Sequence, residues 1–274
     1  MRKLRRTIKQ WPTFSKLKTI NPKLWGKGVP NAVSMVNALG NHAKLFGDSW
    51  DKTMHRFRKL EREASKTKGI KFKQGIWTGG KDSRGLREYS KVFLDSLNYF
   101  LNSNETNLAS ALAKFSQGGT LRYLEEGPGR GVFLREFWQE LKKLGIDLHA
   151  TTVSLKKAPE INELKKLGVI KRASEMPSEH FITKQKFDVI ISMQASFTHS
   201  PYYTFNYLMR KYSSRLRRGG IMLIGFNRHA SFADEFKKEF EPSLKQRGYK
   251  VQLERVLDSE DAKYVLIIQK SWKK

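Results

Sequence analysis

Leu121-Arg122-Tyr123-Leu124-Glu125-Glu126-Gly127-Pro128-Gly129-Arg130-Gly131 is the stretch from which the fold can be read. It predicts a short strand over 121–125 that ends in an acid and runs through alternate glycines into a helix. The helix is signalled by Val132, Phe133, Phe137, Leu141 and Leu144 at roughly helical spacing. Glycines at 127, 129 and 131 expose backbone at the carboxyl end of a strand, the place where open α/β sheets bind ligands. A dinucleotide fingerprint would need its third glycine at position 132, where Val132 stands.

Downstream, strand-like and helix-like segments alternate, the sign of a parallel sheet with crossover helices. The pattern predicts strands at 148–155, 168–172, 187–193 and 220–226, with helices at 131–144, 158–167 and 203–216 between them. A helix over 231–247, capped by Ser231, leads to a closing hairpin, 249–256 and 263–269, joined by an acidic turn. The expected architecture is a seven-stranded, mostly parallel, doubly wound α/β sheet with a C-terminal β-hairpin. Upstream, 86–101 predicts an amphipathic helix whose stripe is Leu86, Tyr89, Val92, Phe93, Leu97 and Phe100, and 104–115 a shorter one. The chain divides into a basic helical extension, 1–80, and a sheet domain, 81–274, with a helical lead-in over 81–118.

Charge marks the extension. The chain carries 53 Lys and Arg against 26 Asp and Glu, a net +27. Residues 1–80 hold 19 basic and 4 acidic residues, and no acid precedes Asp48. Predicted helices at 31–46 and 50–66 lie in this stretch, and Trp11, Phe14 and Trp25 interleave with its Lys and Arg residues. Aromatic and basic side chains so mixed suit base stacking with phosphate neutralisation, so RNA is the expected partner, on charge. An arm stapled to the globular domain by its aromatics, or an Arg-rich organellar leader, are the competing readings of the start. Its prolines and scarce serines favour cytoplasmic residence over the leader. The absence of cysteine excludes disulfides, thiolate metal sites and cysteine nucleophiles, and no apolar run reaches the length of a membrane span. No metal site is expected.

The spacing Glu125-x-Gly127-x-Gly129-x-Gly131, in strand–loop–helix context, resembles motif I of the class I S-adenosylmethionine-dependent methyltransferases. The resemblance covers about 121–270, and a seven-stranded sheet ending in a hairpin is also that family's layout. It implies S-adenosyl-L-methionine as cofactor, with the glycines letting backbone approach its methionine and ribose. Glu125, or its neighbour Glu126, would attract the cofactor's ammonium group. At the end of the second strand, where the family has an acid for the ribose hydroxyls, this chain has Ser154. In the third motif Arg172 stands in the acid's place, and Glu175 is the residue able to take over contact with the adenine amino group. The fourth motif, 187–193, ends in Ser192 and leads to Gln194, both expected beside the cofactor; its Asp188 is expected to be structural. His199 is the candidate general base, against a packing role, and Tyr202 the candidate for stacking a planar substrate, against a place in the core.

Absences narrow the chemistry. The chain lacks an Asn/Asp-Pro-Pro-Tyr/Phe element after the fourth strand, which argues against amino-methylation of adenine or cytosine by that route. Lack of cysteine removes covalent attack on a pyrimidine C5. Met193 replaces the Asp of the ribose methylases' Lys-Asp-Lys-Glu tetrad. What the resemblance implies is methyl transfer to an oxygen or nitrogen nucleophile, RNA being the favoured substrate. The alternatives are an inactive methyltransferase fold serving as an RNA-binding or ribosome-associated factor, and an active enzyme on a small molecule or protein.

Overall fold

The computed structural model describes residues 84–272, apart from 155–156, 177, 179–180, 196, 198–201, 228–229 and 257–261. The readings made on the basic extension, 1–80, and on His199 lie outside these residues.

The first helix, α1 (Leu86–Leu101), buries Tyr89, Val92, Phe93, Ser96, Leu97 and Phe100. These fall three or four residues apart, so they share one face, and each large apolar side chain buried there contributes about 1.5–3 kcal/mol. Two carboxylates fix the helix start. The Gly85 N–H donates to Glu88 at 2.9 Å and the Leu86 N–H to Glu136 at 2.6 Å. Helix α2 (Leu108–Ala113) is shorter than the 104–115 expected, because Asn107 caps it, accepting from the Ser110 N–H at 2.7 Å.

Strand β1 (Thr120–Glu126) then opens the alternation: α3 (Val132–Lys143), β2 (Asp147–Ser154), α4 (Pro159–Lys166), β3 (Ile170–Glu175), β4 (Phe187–Met193), α5 (Tyr202–Ser213) and β5 (Leu216–Phe226). The sheet order is β3-β2-β1-β4-β5-β7-β6, with β6 (Tyr249–Arg255) and β7 (Tyr264–Lys270) forming the closing hairpin. Strands β1 to β5 pair in parallel, and β7 runs antiparallel to both β5 and β6. This is the doubly wound, seven-stranded sheet expected.

Alternation along each strand sorts side chains between two cores. Leu121, Tyr123, Val189 and Ile191 face the layer of α1 to α4, whereas Leu124, Ile190, Met222 and Ile224 face the side that α5 covers. Every residue of β4 is buried, as a central parallel strand requires. Asp188 is no exception to the apolar logic, since it is neutralised in place. It accepts from the Arg122 N–H at 2.8 Å and from the Arg217 guanidinium at 3.0 Å, tying the amino ends of β4, β1 and β5 together. Its expected structural role is what the geometry shows.

Two expectations need correction. The helix expected over 231–247 is interrupted: α6 (Ala230–Glu235) passes through a π turn (Phe236–Phe240) into α7 (Glu241–Gln246). The Glu241 N–H bonds to Phe236, one residue further back than in an α-helix, just ahead of Pro242, which has no N–H to continue the ladder. The helix also begins at Ala230, so Ser231 sits inside it and is not its cap. The second correction concerns β3. It runs to Glu175 and not to 172, because it keeps pairing with β2 as far as Ser154, past a one-residue register shift between Ala150 and Thr151. Arg172 is therefore mid-strand and exposed, its guanidinium 5.0 Å from the Phe181 ring centre, and the strand's carboxyl end is Glu175.

Candidate active site

Strand order reverses between β1 and β4. The chain leaves β1 toward β2 and β3 on one side, and β4 leads to β5 on the other. The carboxyl ends of these two strands form the crevice where doubly wound sheets bind ligands. The residues there are Glu125 and Glu126 of β1 with Gly127 just after it, and Ser192 and Met193 of β4 with Gln194 just after it, Glu126 and Ser192 being register partners.

Three glycines shape the loop out of β1. Gly127, Gly129 and Gly131 have φ of 77°, 55° and 75°, values open to glycine and strained for other residues. The space saved goes partly to the protein itself. A Cβ on Gly127 would collide with the Ala195 Cβ, and one on Gly131 would lie 2.9 Å from the δ-methyls of Ile161 and Leu164. Gly127 thus brings the loop against the segment after β4, and Gly131 seats α3 against α4. Gln194 has φ of 49°, uncommon for a side-chain-bearing residue, and its N–H donates to Gly225 of β5 at 2.8 Å. Strain of this kind, about 1–3 kcal/mol, is held where the surroundings over-determine it, characteristically at ligand sites.

The consecutive acids diverge because strand side chains alternate. Glu125 is fully buried on the α1 side, where the Tyr89 hydroxyl donates to it at 3.0 Å. Tyr89 stacks on Phe133 of α3 with centroids 3.9 Å apart. Burial pushes the Tyr123 phenol well up, and the neighbouring Glu125 and Tyr89 add to it, so this phenol stays protonated beside the carboxylate. Glu126, 3% exposed, is on the other side and accepts from Ser178 and Ser192 hydroxyls, both at 2.6 Å. Ser192 thus meets Glu126 directly. A buried carboxylate costs several kcal/mol unless it is hydrogen-bonded, which explains why each acid has found hydroxyl donors.

On the β3 side of the switch point, Ser154 ends β2 and its register partner is Glu175, the last residue of β3. Both are half-buried. The carboxylate missing at the end of β2 is thus present one strand over. Tyr202 is the first residue of α5, with its side chain outside what the structure describes, so of the expected catalytic pair only this backbone position is fixed.

Two members of the site went unnoticed in the sequence, Tyr89 as a partner of Glu125 and Ser178 as a partner of Glu126. Adjacent acids at a strand end were the available signal, since alternation places one on each face and each then needs a donor. The donors sit 36 and 52 residues away in the chain, and only the packing of α1 and of the β3–β4 connection brings them in.

The residues fit a sulfonium nucleoside bearing an amino-acid tail. An ammonium group there would meet the negative charge of two buried carboxylates beneath the strand ends, ribose hydroxyls or an adenine amino group would meet the half-buried Ser154 hydroxyl and Glu175 carboxylate, and the loop presents backbone at its three glycines. Among the described residues no His, Cys, Asp and Glu cluster suits a metal, and no helix is long and apolar enough to cross a membrane.

No protein-family model and no curated protein matches the chain. Solved structures do. The chain resembles an rRNA methylase from Streptococcus thermophilus at 15% identity and TM-score 0.43, over 60% of this chain and 93% of that one. It resembles the N-methyltransferase NodS from Bradyrhizobium japonicum at 15% identity and TM-score 0.41, over 60% and 94%. A Burkholderia thailandensis 1,6-didemethyltoxoflavin-N1-methyltransferase shows 16% identity and TM-score 0.43, over 69% and 91%. The glycine loop after β1 and the strand order, with its antiparallel β7, follow the layout that the resemblance implied.

Proposed function

We propose that this chain is an S-adenosylmethionine-dependent methyltransferase acting on an oxygen or nitrogen of RNA. The observation that carries the reading is the convergence, at the carboxyl ends of the strands around one topological switch point, of a loop with three positive-φ glycines and carboxylates from β1 and β3. Bound there, the cofactor would supply an activated methyl group on a sulfonium. The chain's own residues do the rest. Glu125, or Glu126 from the opposite face of β1, provides negative charge toward an ammonium group. Glu175 and Ser154 together replace the single acid that the family carries after its second strand, as acceptors for hydroxyl or amino donors. Ser192 holds Glu126, and the strained Gln194 is pinned to Gly225 of β5 through its backbone N–H. Catalysis of this kind rests mainly on positioning and exclusion of water, and proton removal by a base such as His199 is optional. RNA as acceptor is supported by the net +27 charge and its concentration in 1–80. Cytoplasmic residence is part of this reading.

A second reading, a cofactor-free RNA-binding factor on the same fold, is favoured by Ser154 at the ribose position. Isothermal titration of the full chain with S-adenosylmethionine, S-adenosylhomocysteine and NAD separates the two. The enzyme reading expects binding of the first two and none of the third, followed by transfer of labelled methyl to an RNA pool. No binding of either sulfur nucleoside would overturn it.

A further inference from the structure

The end of the sheet opposite the glycine loop carries a feature that methyl transfer does not use. The passage from α5 into the first residues of β5 reads Ser214-Arg215-Leu216-Arg217-Arg218-Gly219-Gly220, and two lysines from elsewhere in the chain are fastened to it. Lys186, just before β4, donates its ammonium to the Ser214 carbonyl, and Lys270, ending β7, donates to the Leu216 carbonyl at 3.3 Å. Arg215 lies between those two carbonyls. Of the two following arginines, Arg217 is taken up by Asp188, while Arg218 is exposed. Among the described residues no carboxylate forms an ion pair with Lys186, Arg215, Arg218 or Lys270. Each ammonium gives one proton to a carbonyl and keeps two for another acceptor.

Trp272 completes the cluster. Its indole lies directly against Gly219, where φ is 74° and any Cβ would run into the ring, yet the side chain is 65% exposed. One part of the ring is thus held by backbone and the rest is open to solvent. An aromatic surface fixed in this way loses little side-chain freedom when a second planar group stacks on it.

We infer that Trp272, Lys186, Arg215, Arg218 and Lys270 form a second contact surface for single-stranded RNA, at the amino end of the sheet. The ring stacks a base and the four cations neutralise the flanking phosphates. Like charges crowded in this way need a counter-anion, and the Lys186 ammonium is pushed down from its usual range by burial first and then by Lys270 and Arg215. A polyanion relieves that repulsion, and the open ring favours one with stackable bases over an acidic protein. The seven residues of β4 separate this surface from the switch point by about 20 Å, so it holds RNA at a distance from the crevice. It shares only the nature of the partner with the proposed function and does not depend on methyl transfer.

The test uses the full chain and a fluorescein-labelled 20-nucleotide oligouridylate, with anisotropy read across a salt series. Lys186→Gln/Arg218→Gln/Lys270→Gln should weaken binding more than tenfold and reduce the slope of log affinity against log salt by about 2, at roughly 0.7 per lost phosphate contact on a single strand. Trp272→Ala should weaken binding by at least about fivefold, the lower end for one stacked base, without changing that slope, and Trp272→Phe should keep most of the affinity. Unchanged binding in the triple variant overturns the surface, and that is also the result expected if it docks a protein instead. A loss in the triple variant with none in Trp272→Ala, or an equal loss in Trp272→Ala and Trp272→Phe, overturns the stacking assignment. Titration of the same proteins with S-adenosylhomocysteine keeps the two readings apart. It should be indifferent to these substitutions, and its failure in the wild-type chain would count against the methyltransferase reading alone.

Discussion

Gly127 permits a quantitative test of how the glycine loop is built. An alanine there must adopt φ of 77°, at about 1–2 kcal/mol, and its Cβ would collide with the Ala195 Cβ across the crevice wall. Overpacking of this kind costs about a further 1–3 kcal/mol. Gly127→Ala should therefore lose about 2–5 kcal/mol, a fall in Tm of about 4–20 °C for a domain of this size. Ala195→Gly, which removes the colliding methyl, should by itself cost only about 0.4–1 kcal/mol of chain entropy. The double variant should recover the overpacking part, giving a coupling of about 1–3 kcal/mol between the two positions. Gly118→Ala is the control, since its φ of 64° is also left-handed but no atom lies within 4 Å of the added Cβ. It should show the backbone strain alone. Thermal unfolding of the four proteins, with S-adenosylhomocysteine titration alongside, reads both stability and site integrity. If Gly127→Ala is no worse than Gly118→Ala, or if Ala195→Gly fails to rescue it, the contact between the loop and the β4 exit is not what the glycine serves.

Two other predictions follow from the same geometry. Glu175→Gln should weaken S-adenosylhomocysteine binding by about 10- to 100-fold, the worth of a charge-assisted hydrogen bond, and Ser154→Asp in that background should restore part of it; an unchanged Kd in Glu175→Gln would remove Glu175 from the site. The Asp188 carboxyl is raised chiefly by burial, against the opposing pull of the Arg122 N–H and Arg217. The folded chain therefore holds this proton more tightly than the unfolded chain, so the group's contribution to stability is full at low pH and is lost as pH rises from the ordinary carboxylate value to the raised one. The Tm of wild type minus that of Asp188→Asn should fall as pH rises above the ordinary aspartate value of about 3.9, and a flat or rising difference would contradict the sign.

The sequence by itself determined the elements and their order. A nearly continuous apolar run placed β4 at 187–193 and a 3.6-residue period placed α1 at 86–101 as found, because both are buried in ways that dictate residue type locally. The glycine loop was equally legible, since alternate positive φ values can hardly be met by another residue type. What the sequence could not determine was anything set by pairing between distant segments. β3 ends at Glu175 because its pairing with β2 continues to Ser154, and this sets a carboxylate, with Arg172 left mid-strand, beside Ser154. The π turn before Pro242 depended on where a backbone donor was missing within a packed helix. Glu125 and Glu126 were visible as a pair, but which hydroxyls would hold them was decided by tertiary packing alone. Strand alternation sends adjacent acids to opposite layers, and the donors in those layers come from Tyr89, Ser178 and Ser192, which no local pattern connects to them. The basic turn at the other end of the sheet is the same case: four cations and one indole from three separate stretches of chain meet only because β4, β5 and β7 are neighbours.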